Sequence, residues 1–178
     1  MKEVERKYLF NLTKELPSGG TVLEVGSFLG DSSTRAFSDG IKKFCPNGRL
    51  VCVDEFNQEF FENQKEFYKE VKKKIGNKTI YETFLDNMKD REYLLIKKDS
   101  LSASEDILNG SVDIIFIDAN HEYEYVLKDI NAWLPKLTPG GIMCGHDYGK
   151  SQFGVTEAVK EVFPAASNPV KSIWMVKC

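Results

Sequence analysis

Apolar positions along the chain change their spacing repeatedly, and the changes divide it into alternating helices and strands. Val4, Tyr8, Leu9, Leu12 and Leu16 recur at helical spacing until Pro17 and Gly19-Gly20 break the pattern, so the first segment is predicted as a helix. TVLEVG (21–26) is a short apolar run with β-branched residues, bounded by glycine, and predicts a strand. DSSTRAFSDGIKKF (31–44) has three potential N-caps and an apolar stripe of Phe37, Ile41 and Phe44, the pattern of a helix. RLVCVD (49–54) predicts the second strand. Phe60, Phe67, Val71 and Ile75 then mark one long charged helix, and Ile80, Phe84 and Met88 a shorter one. YLLIKK (93–98) is the third expected strand. Ser102 with Glu105 gives a capping-box pattern for a helix ending near Asn109-Gly110. VDIIFID (112–118) is the fourth strand, and Tyr123, Val126, Leu127, Ile130 and Leu134 place a helix before Pro135. TPGG (138–141) is expected to turn into a fifth strand, IMCGH; VTEAVKEVF (155–163) is a helix and SIWMVKC (172–178) a final strand.

Strands too apolar to have a wet face, alternating with helices, imply an α/β fold. The expected architecture is a doubly wound, mostly parallel sheet with helices on both faces and an antiparallel C-terminal strand. No repeat, low-complexity tract or linker interrupts the 178 residues, so residues 1–178 are expected to form one domain. In such sheets ligands bind outside the carboxyl ends of the strands, near the switch in strand order. The residues found there are Glu24-Val25-Gly26-Ser27, Asp54-Glu55, Asp99-Ser100, Asp118-Ala119-Asn120-His121 and His146-Asp147. Nearly every strand ends in a carboxylate, which packing does not require.

Charge narrows the choice of partner. Twenty-four basic against 27 acidic residues leave a formal net charge of −3, with no basic excess to suit nucleic acid or an anionic membrane. No apolar run approaches the ~18 residues of a membrane span, and MKEVERKYLF lacks the unbroken apolar stretch of a secretory signal. Cys45, Cys52, Cys144 and Cys178 are widely spaced, and Cys52 and Cys144 sit in apolar runs where cysteine behaves as a small hydrophobe. A reducing, cytoplasmic setting is the expectation.

The loop after the first strand carries the cofactor chemistry. Gly26 and Gly30 allow a tight turn and close backbone approach to a ligand. A dinucleotide fingerprint starting at Gly26 needs glycine at 28 and 31, where the chain has Phe28 and Asp31; no GK[ST] phosphate loop exists either. A glycine pair after a strand is also an ordinary structural turn. Asp54 strengthens the ligand reading, because a carboxylate ending the next strand can accept both hydroxyls of a ribose; it is equally a residue type that caps helices.

The combination of EVGSFLG (24–30) and VCVDE (51–55) resembles the S-adenosylmethionine-dependent methyltransferases of the class I, Rossmann-like type. That resemblance implies S-adenosylmethionine as the cofactor. It places Gly26, Ser27 and Gly30 along the methionine and ribose, Glu24 in support, Ser32 at the amino-acid carboxylate, Asp54 with Glu55 at the ribose, and Asp99-Ser100 at the adenine, with Asp118 bordering the same site. Carboxylates and open backbone suit a sulfonium cofactor that has no phosphates.

The stretch VDIIFIDANHEYEYVLKDINAWLPKLTPGGIMCGHDY (112–148) resembles the D-x-x-H-x-Y…D…W…L-x-P-G-G…H-D-Y core of a subfamily of small bacterial enzymes related to metal-dependent sugar and macrolide O-methyltransferases, and YETFLDNM (81–88) resembles its F-L-x-N segment. The resemblance runs from about residue 20 to the C-terminus and is weakest over 55–80. Chemically, Asp118 and His121 lie three apart where a strand turns into a helix, and Asp147 closes a neighbouring strand. Two such carboxylates can hold one divalent cation, and His121 can take a proton. The resemblance matches Asp118 and Asp147 to metal ligands, for magnesium or manganese, and His121 to the general base. His146 stands where the related metal enzymes carry an acidic ligand, so a third ligand at His146 shifts preference towards manganese, iron or zinc, or else marks a site without metal. His146 can also bond the strand end, and Asp147 can cap the segment after it. Trp133 lies in an apolar stripe and is expected in the core; the charges of residues 55–92 nearly cancel and read as a solvated face.

The expected activity is methyl transfer to a hydroxyl of a small molecule, a sugar among the candidates. With no separate substrate domain, a homo-oligomer would complete the pocket. A nucleotide- or NAD-dependent enzyme on the same fold and a non-catalytic cofactor-binding protein are the competing readings.

Overall fold

Alternation of buried strands with amphipathic helices is realised throughout the computed structural model, which describes residues 1–178. Helices α1 (Glu3–Leu12), α2 (Ser33–Phe44), α3 (Gln58–Asn63), α4 (Lys65–Ile75), α5 (Ile80–Met88), α6 (Ser100–Glu105), α7 (Tyr123–Trp133) and α8 (Val155–Val162) surround one sheet. Its strands are β1 (Thr21–Val25), β2 (Arg49–Val53), β3 (Leu94–Ile96), β4 (Val112–Ile117), β5 (Leu137–Gly145), β6 (Ser167–Val170) and β7 (Ile173–Lys177).

The strand order is β3-β2-β1-β4-β5-β7-β6. The first five strands are mutually parallel, and β7 enters antiparallel between β5 and β6. Since β6 is antiparallel to β7, it runs with the parallel set, a short outer strand that the sequence reading did not assign. Pro169 lies in it, as suits an edge strand that need not donate every N–H.

Side chains pointing one way from the sheet, such as Val22, Cys52, Phe116 and Cys144, pack with Leu9, Phe37, Val71, Ile75, Phe84 and Met88 from α1, α2, α4 and α5. Those pointing the other way, such as Leu23, Val25, Ile115 and Met143, pack with Ala103, Val126, Ile130, Trp133 and Val159 from α6, α7 and α8. Trp133 and both strand cysteines are fully buried, as expected. All four cysteines are free thiols. No helix is long and apolar enough to cross a membrane.

Three local expectations need correction. The long helix over 60–75 is two helices, because Gln64 (φ −87°, ψ 64°) leaves the helical region between α3 and α4. The helix after β3 is capped by Asp99, whose side chain accepts from Ser102 N at 3.0 Å, rather than by a Ser102–Glu105 box. Thr138-Pro139-Gly140-Gly141 is an irregularity inside β5 instead of a turn before it: the β4–β5 register jumps from Val112↔Leu137 to Ile114↔Ile142.

Candidate active site

The central strands stop level with one another. Val25 pairs with both Val53 and Ile117, and Ile117 pairs with Gly145. Each gains one further backbone bond: Gly26 N to Val53 O at 2.8 Å, Asp118 N to Val25 O at 2.8 Å, and His146 N to Ile117 O at 3.1 Å. Asp54, Gly26, Asp118 and His146-Asp147 therefore form a continuous ledge across the crevice between β1 and β4, where the strand order reverses.

One half of the ledge is built around the β1–α2 loop. Gly26 has φ +90°, and a Cβ there would lie 2.3 Å from the Asp118 carbonyl oxygen, so only glycine fits. Gly30 (φ +68°) is held close by Phe84 and Met88 instead. Glu24 is wholly buried in a row of apolar side chains. Its Oε2 accepts from Thr34 Oγ1 at 2.6 Å, while Oε1 has no partner. The buried Oγ atoms of Ser27 and Ser32 are unpartnered as well. Ser32 occupies the N-cap position of α2 without capping it, although a serine there ordinarily does. Leaving a buried polar atom unpaired costs about 1–3 kcal/mol; three along the end of β1 and its loop mark a surface made to meet a ligand.

Burial pushes the Glu24 carboxyl up to about 7, reinforced by the charge of Asp118 and opposed by the hydroxyls of Ser33, Thr34 and Ser27. A carboxyl raised from its ordinary 4.5 to about 7 on folding binds more protons folded than unfolded between those values. The contribution of Glu24 to stability is therefore greatest below 4.5 and falls as pH climbs to 7. Glu24→Gln, which keeps an acceptor for Thr34, is expected to stabilise the ligand-free protein by about 2–3 kcal/mol at pH 8 and to do little at pH 4. Urea unfolding at the two pH values checks this.

Asp54 ties two turns together. Its Oδ2 accepts from Phe28 N and its Oδ1 from Phe56 N, both at 2.7 Å, and both phenylalanines have positive φ (49° and 53°). Burial nevertheless raises its pKa. Each oxygen keeps a second lone pair for a ligand. Glu55 and Asp99, expected beside the cofactor, are exposed, and Asp99 is engaged as the cap of α6. Ser100 is turned inward, where its hydroxyl accepts from Trp133 Nε1 at 2.8 Å.

The other half of the ledge holds the acid–imidazole chemistry. Asp118, His121 and Asp147 each present a donor atom within 4.8 Å of the others. His121 Nε2 stands 2.8 Å from Asp147 Oδ2 and 3.6 Å from Asp118 Oδ1. These contacts are not aligned hydrogen bonds: His121 Nε2 and Asp147 Oδ1 are buried without an aligned partner. Burial lowers the His121 pKa, but the two carboxylates outweigh it and push the imidazole up to about 9. Burial raises that of Asp147, yet His121, His146 and Lys150 together hold its carboxyl well below the usual range. Asp147 takes φ +62°, a left-handed conformation that aspartate tolerates and that clusters at working sites.

His146 does not join this trio as an open third donor. Its Nδ1 lies 2.9 Å from Asp147 Oδ1 and 3.7 Å from Asp118 Oδ1, and its Nε2 lies 3.2 Å from Glu5 Oε1. Glu5 takes Nε2, and Nδ1 rests against Asp147 Oδ1 as an ion contact without hydrogen-bond alignment, so His146 stands behind the trio of Asp118, His121 and Asp147. Three further residues touch the site that sequence reasoning did not single out. Lys150 pairs with Asp147, Phe153 stacks on His121 (centroids 4.5 Å apart, 26° between planes), and Glu5 backs His146. Lys150 and Phe153 come from the irregular β5–α8 loop and have no periodic signature. Glu5 has one: it stands four and seven residues before Leu9 and Leu12, on the buried stripe of α1, whereas Val4 is exposed.

A family model described as a methyltransferase domain matches residues 23–148, well over half of the chain, and spans the whole ledge. The chain belongs to that family. This methyltransferase shares the class I fold with solved structures at identities that speak for fold alone. One is a TDP-rhamnose 3′-O-methyltransferase of calicheamicin biosynthesis, 15% identical, with a TM-score of 0.62 over 98% of this chain and 77% of the other. Another is an O-methyltransferase from Bacillus cereus in complex with SAH, 18% identical, with a TM-score of 0.60 over 100% and 82%. A third is the fibrillarin of Aeropyrum pernix with natively bound S-adenosyl-L-methionine, 17% identical, with a TM-score of 0.59 over 95% and 73%. Among curated proteins, uncharacterized protein y4gI of Sinorhizobium fredii is 38% identical over 53 residues, which is 30% of this methyltransferase and 6% of that relative's length. Helix α1, and with it Glu5, lies outside the matched stretch.

Proposed function

We propose that this methyltransferase uses S-adenosylmethionine to methylate a hydroxyl of a small molecule, with Asp118 and Asp147 holding a divalent cation and His121 acting as the general base. The observation that carries the reading is the convergence of Asp118, His121 and Asp147 on the same ledge as the unpaired Glu24, Ser27 and Ser32. The unpaired Oε1 and hydroxyls suit the polar amino-acid end of the cofactor, the close Gly26 turn leaves room for its body, and the free lone pairs of Asp54 suit its ribose. S-adenosylmethionine supplies the methyl group, on a sulfonium that gives it up without needing a phosphate cradle. The two carboxylates of Asp118 and Asp147 are a donor pair for magnesium or manganese. Such a cation would lower the pKa of the acceptor hydroxyl and fix its oxygen.

The protein's own part is to orient and to accept a proton. His121 Nε2 faces the carboxylates rather than bulk water, and Phe153 against its ring fixes its plane. Held at about 9 by Asp118 and Asp147, the imidazole is protonated at neutral pH in the cation-free protein. It accepts a proton once those carboxylates are otherwise occupied, or as pH climbs towards 9. The likeness in fold to a TDP-rhamnose 3′-O-methyltransferase makes sugar hydroxyls the first acceptors to assay.

Calorimetric titration with S-adenosylmethionine and with NAD tests the cofactor; binding of NAD alone would reject the reading. Product formation across a panel of sugars and other small alcohols, with and without chelator, tests the metal. Wild type is expected to lose activity in excess chelator and to recover it with manganese, whereas Asp147→Ala should be slow and indifferent to both. Full activity in chelator, with Asp147→Ala equally active, would discard the cation and leave His121 as the base.

A further inference from the structure

Glu5 is 2% exposed, on the inner stripe of α1 where Leu9 and Leu12 are also buried. A buried carboxylate is costly unless it is fully engaged, and this one has three partners from three parts of the chain. Its Oε2 accepts from Lys2 N at 2.7 Å; its Oε1 accepts from Ser172 N, in the β6–β7 turn, at 3.0 Å and lies 3.2 Å from His146 Nε2. The first bond is the capping box of α1 itself, and the second ties the helix to the β6–β7 turn. The third aims the charge at a ring, itself only 9% exposed, whose far nitrogen rests 2.9 Å from Asp147 Oδ1. Glu5 thus begins a chain, Glu5–His146–Asp147, that ends on the ledge.

From this chain we infer that Glu5 is a positioning residue for Asp147, acting through His146: it anchors the imidazole from behind so that the ring, with Lys150, keeps one oxygen of Asp147 in an ion contact while the other stands against His121. The inference rests on the reading of Asp147 as part of the working site. Outer partners of this kind orient the groups that do the binding, and their loss commonly weakens a metal site by about 10–100-fold. The anchor comes from a helix that the family model does not cover.

The test uses the full chain carrying Glu5→Gln, with Glu5→Asp, which withdraws the same charge by one methylene, as a second variant should the first not fold. Two readouts are taken: ring ¹⁵N spectra of His146 in metal-free protein, and Mn²⁺ affinity by calorimetry. Glu5→Gln is expected to move the His146 ring resonances and to weaken Mn²⁺ binding about tenfold or more, with S-adenosylmethionine affinity unchanged. In a His146→Ala background the same substitution should have no further effect on Mn²⁺, because the link it acts through is gone. An unmoved His146 spectrum overturns the inference. So does an equal loss of Mn²⁺ affinity with and without His146, which would make Glu5 a merely structural support. Wild type that binds no Mn²⁺, while its His146 spectrum still responds to Glu5→Gln, would reject the cation of the proposed function and uphold the Glu5 link.

Discussion

His121→Ala is expected to slow methyl transfer about 10²–10⁴-fold, the usual weight of a positioned general base, and to leave cofactor affinity unchanged. The two halves of the ledge explain the separation. Glu24, Ser27 and Ser32 belong to β1 and its loop, while His121 comes after β4 and reaches only Asp118, Asp147 and Phe153. Its Nε2 is close enough to both carboxylates to be a ligand instead of a base. Manganese affinity distinguishes the two roles. A base leaves it nearly intact in His121→Ala, and a ligand lowers it along with the rate. Steady-state rates with saturating cofactor, and Mn²⁺ titration of the same variant, check both halves. A rate within a few-fold of wild type would remove His121 from the mechanism.

Gly26→Ala should be the most damaging single-methyl change in the protein. The new Cβ would stand 2.3 Å from Asp118 O and 2.8 Å from Ala119 Cα, both backbone, and at φ +90° an L side chain is strained even in open space. Strain of this kind costs roughly 1–3 kcal/mol, and overpacking a similar amount again, so a loss of about 3 kcal/mol or more is expected. Relief requires β1 and β4 to part at their ends, which carries Asp118 away from the β1–α2 loop and Asp54. Both cofactor binding and turnover should therefore vanish together. Denaturant midpoints and calorimetry on Gly26→Ala check this, with Gly76→Ala as the control: Gly76 also has positive φ, but its Cβ would meet nothing within 4 Å.

The sheet was legible in the sequence because its strands are buried on both faces and end in polar residues. VDIIFID and TVLEVG have no polar side to confuse the period. The residues that converge were legible for the same reason, since a parallel sheet delivers every strand's last residue to one rim. What could not be read were contacts made across the sequence. Asp99 lies just past a strand as Asp54 does, yet β3 is a three-residue edge strand and the Asp99 side chain also caps the helix that follows. Gln64 breaks a helix that hydrophobic spacing alone would continue. Glu5 lies on an apolar stripe, a misplaced charge that spacing reveals, but its destination 141 residues away is a fact of topology.

The backbone bonds that carry β1, β4 and β5 one residue past their last paired positions have a consequence for how this protein can change. Gly26, Asp118 and His146 are stitched to the neighbouring strand through main-chain atoms, so the distance between the β1–α2 loop and Asp118 is set by strand spacing and is the same whatever side chains surround it. Acceptor preference is then expected to reside in the segments that follow the ledge residues: 55–68, with helix α3, after β2, and 148–154 after β5. A library that varies those two segments, keeping Lys150 and Phe153 because they touch Asp147 and His121, should yield enzymes with new acceptors and the old chemistry, whereas changes to the ledge should yield loss alone.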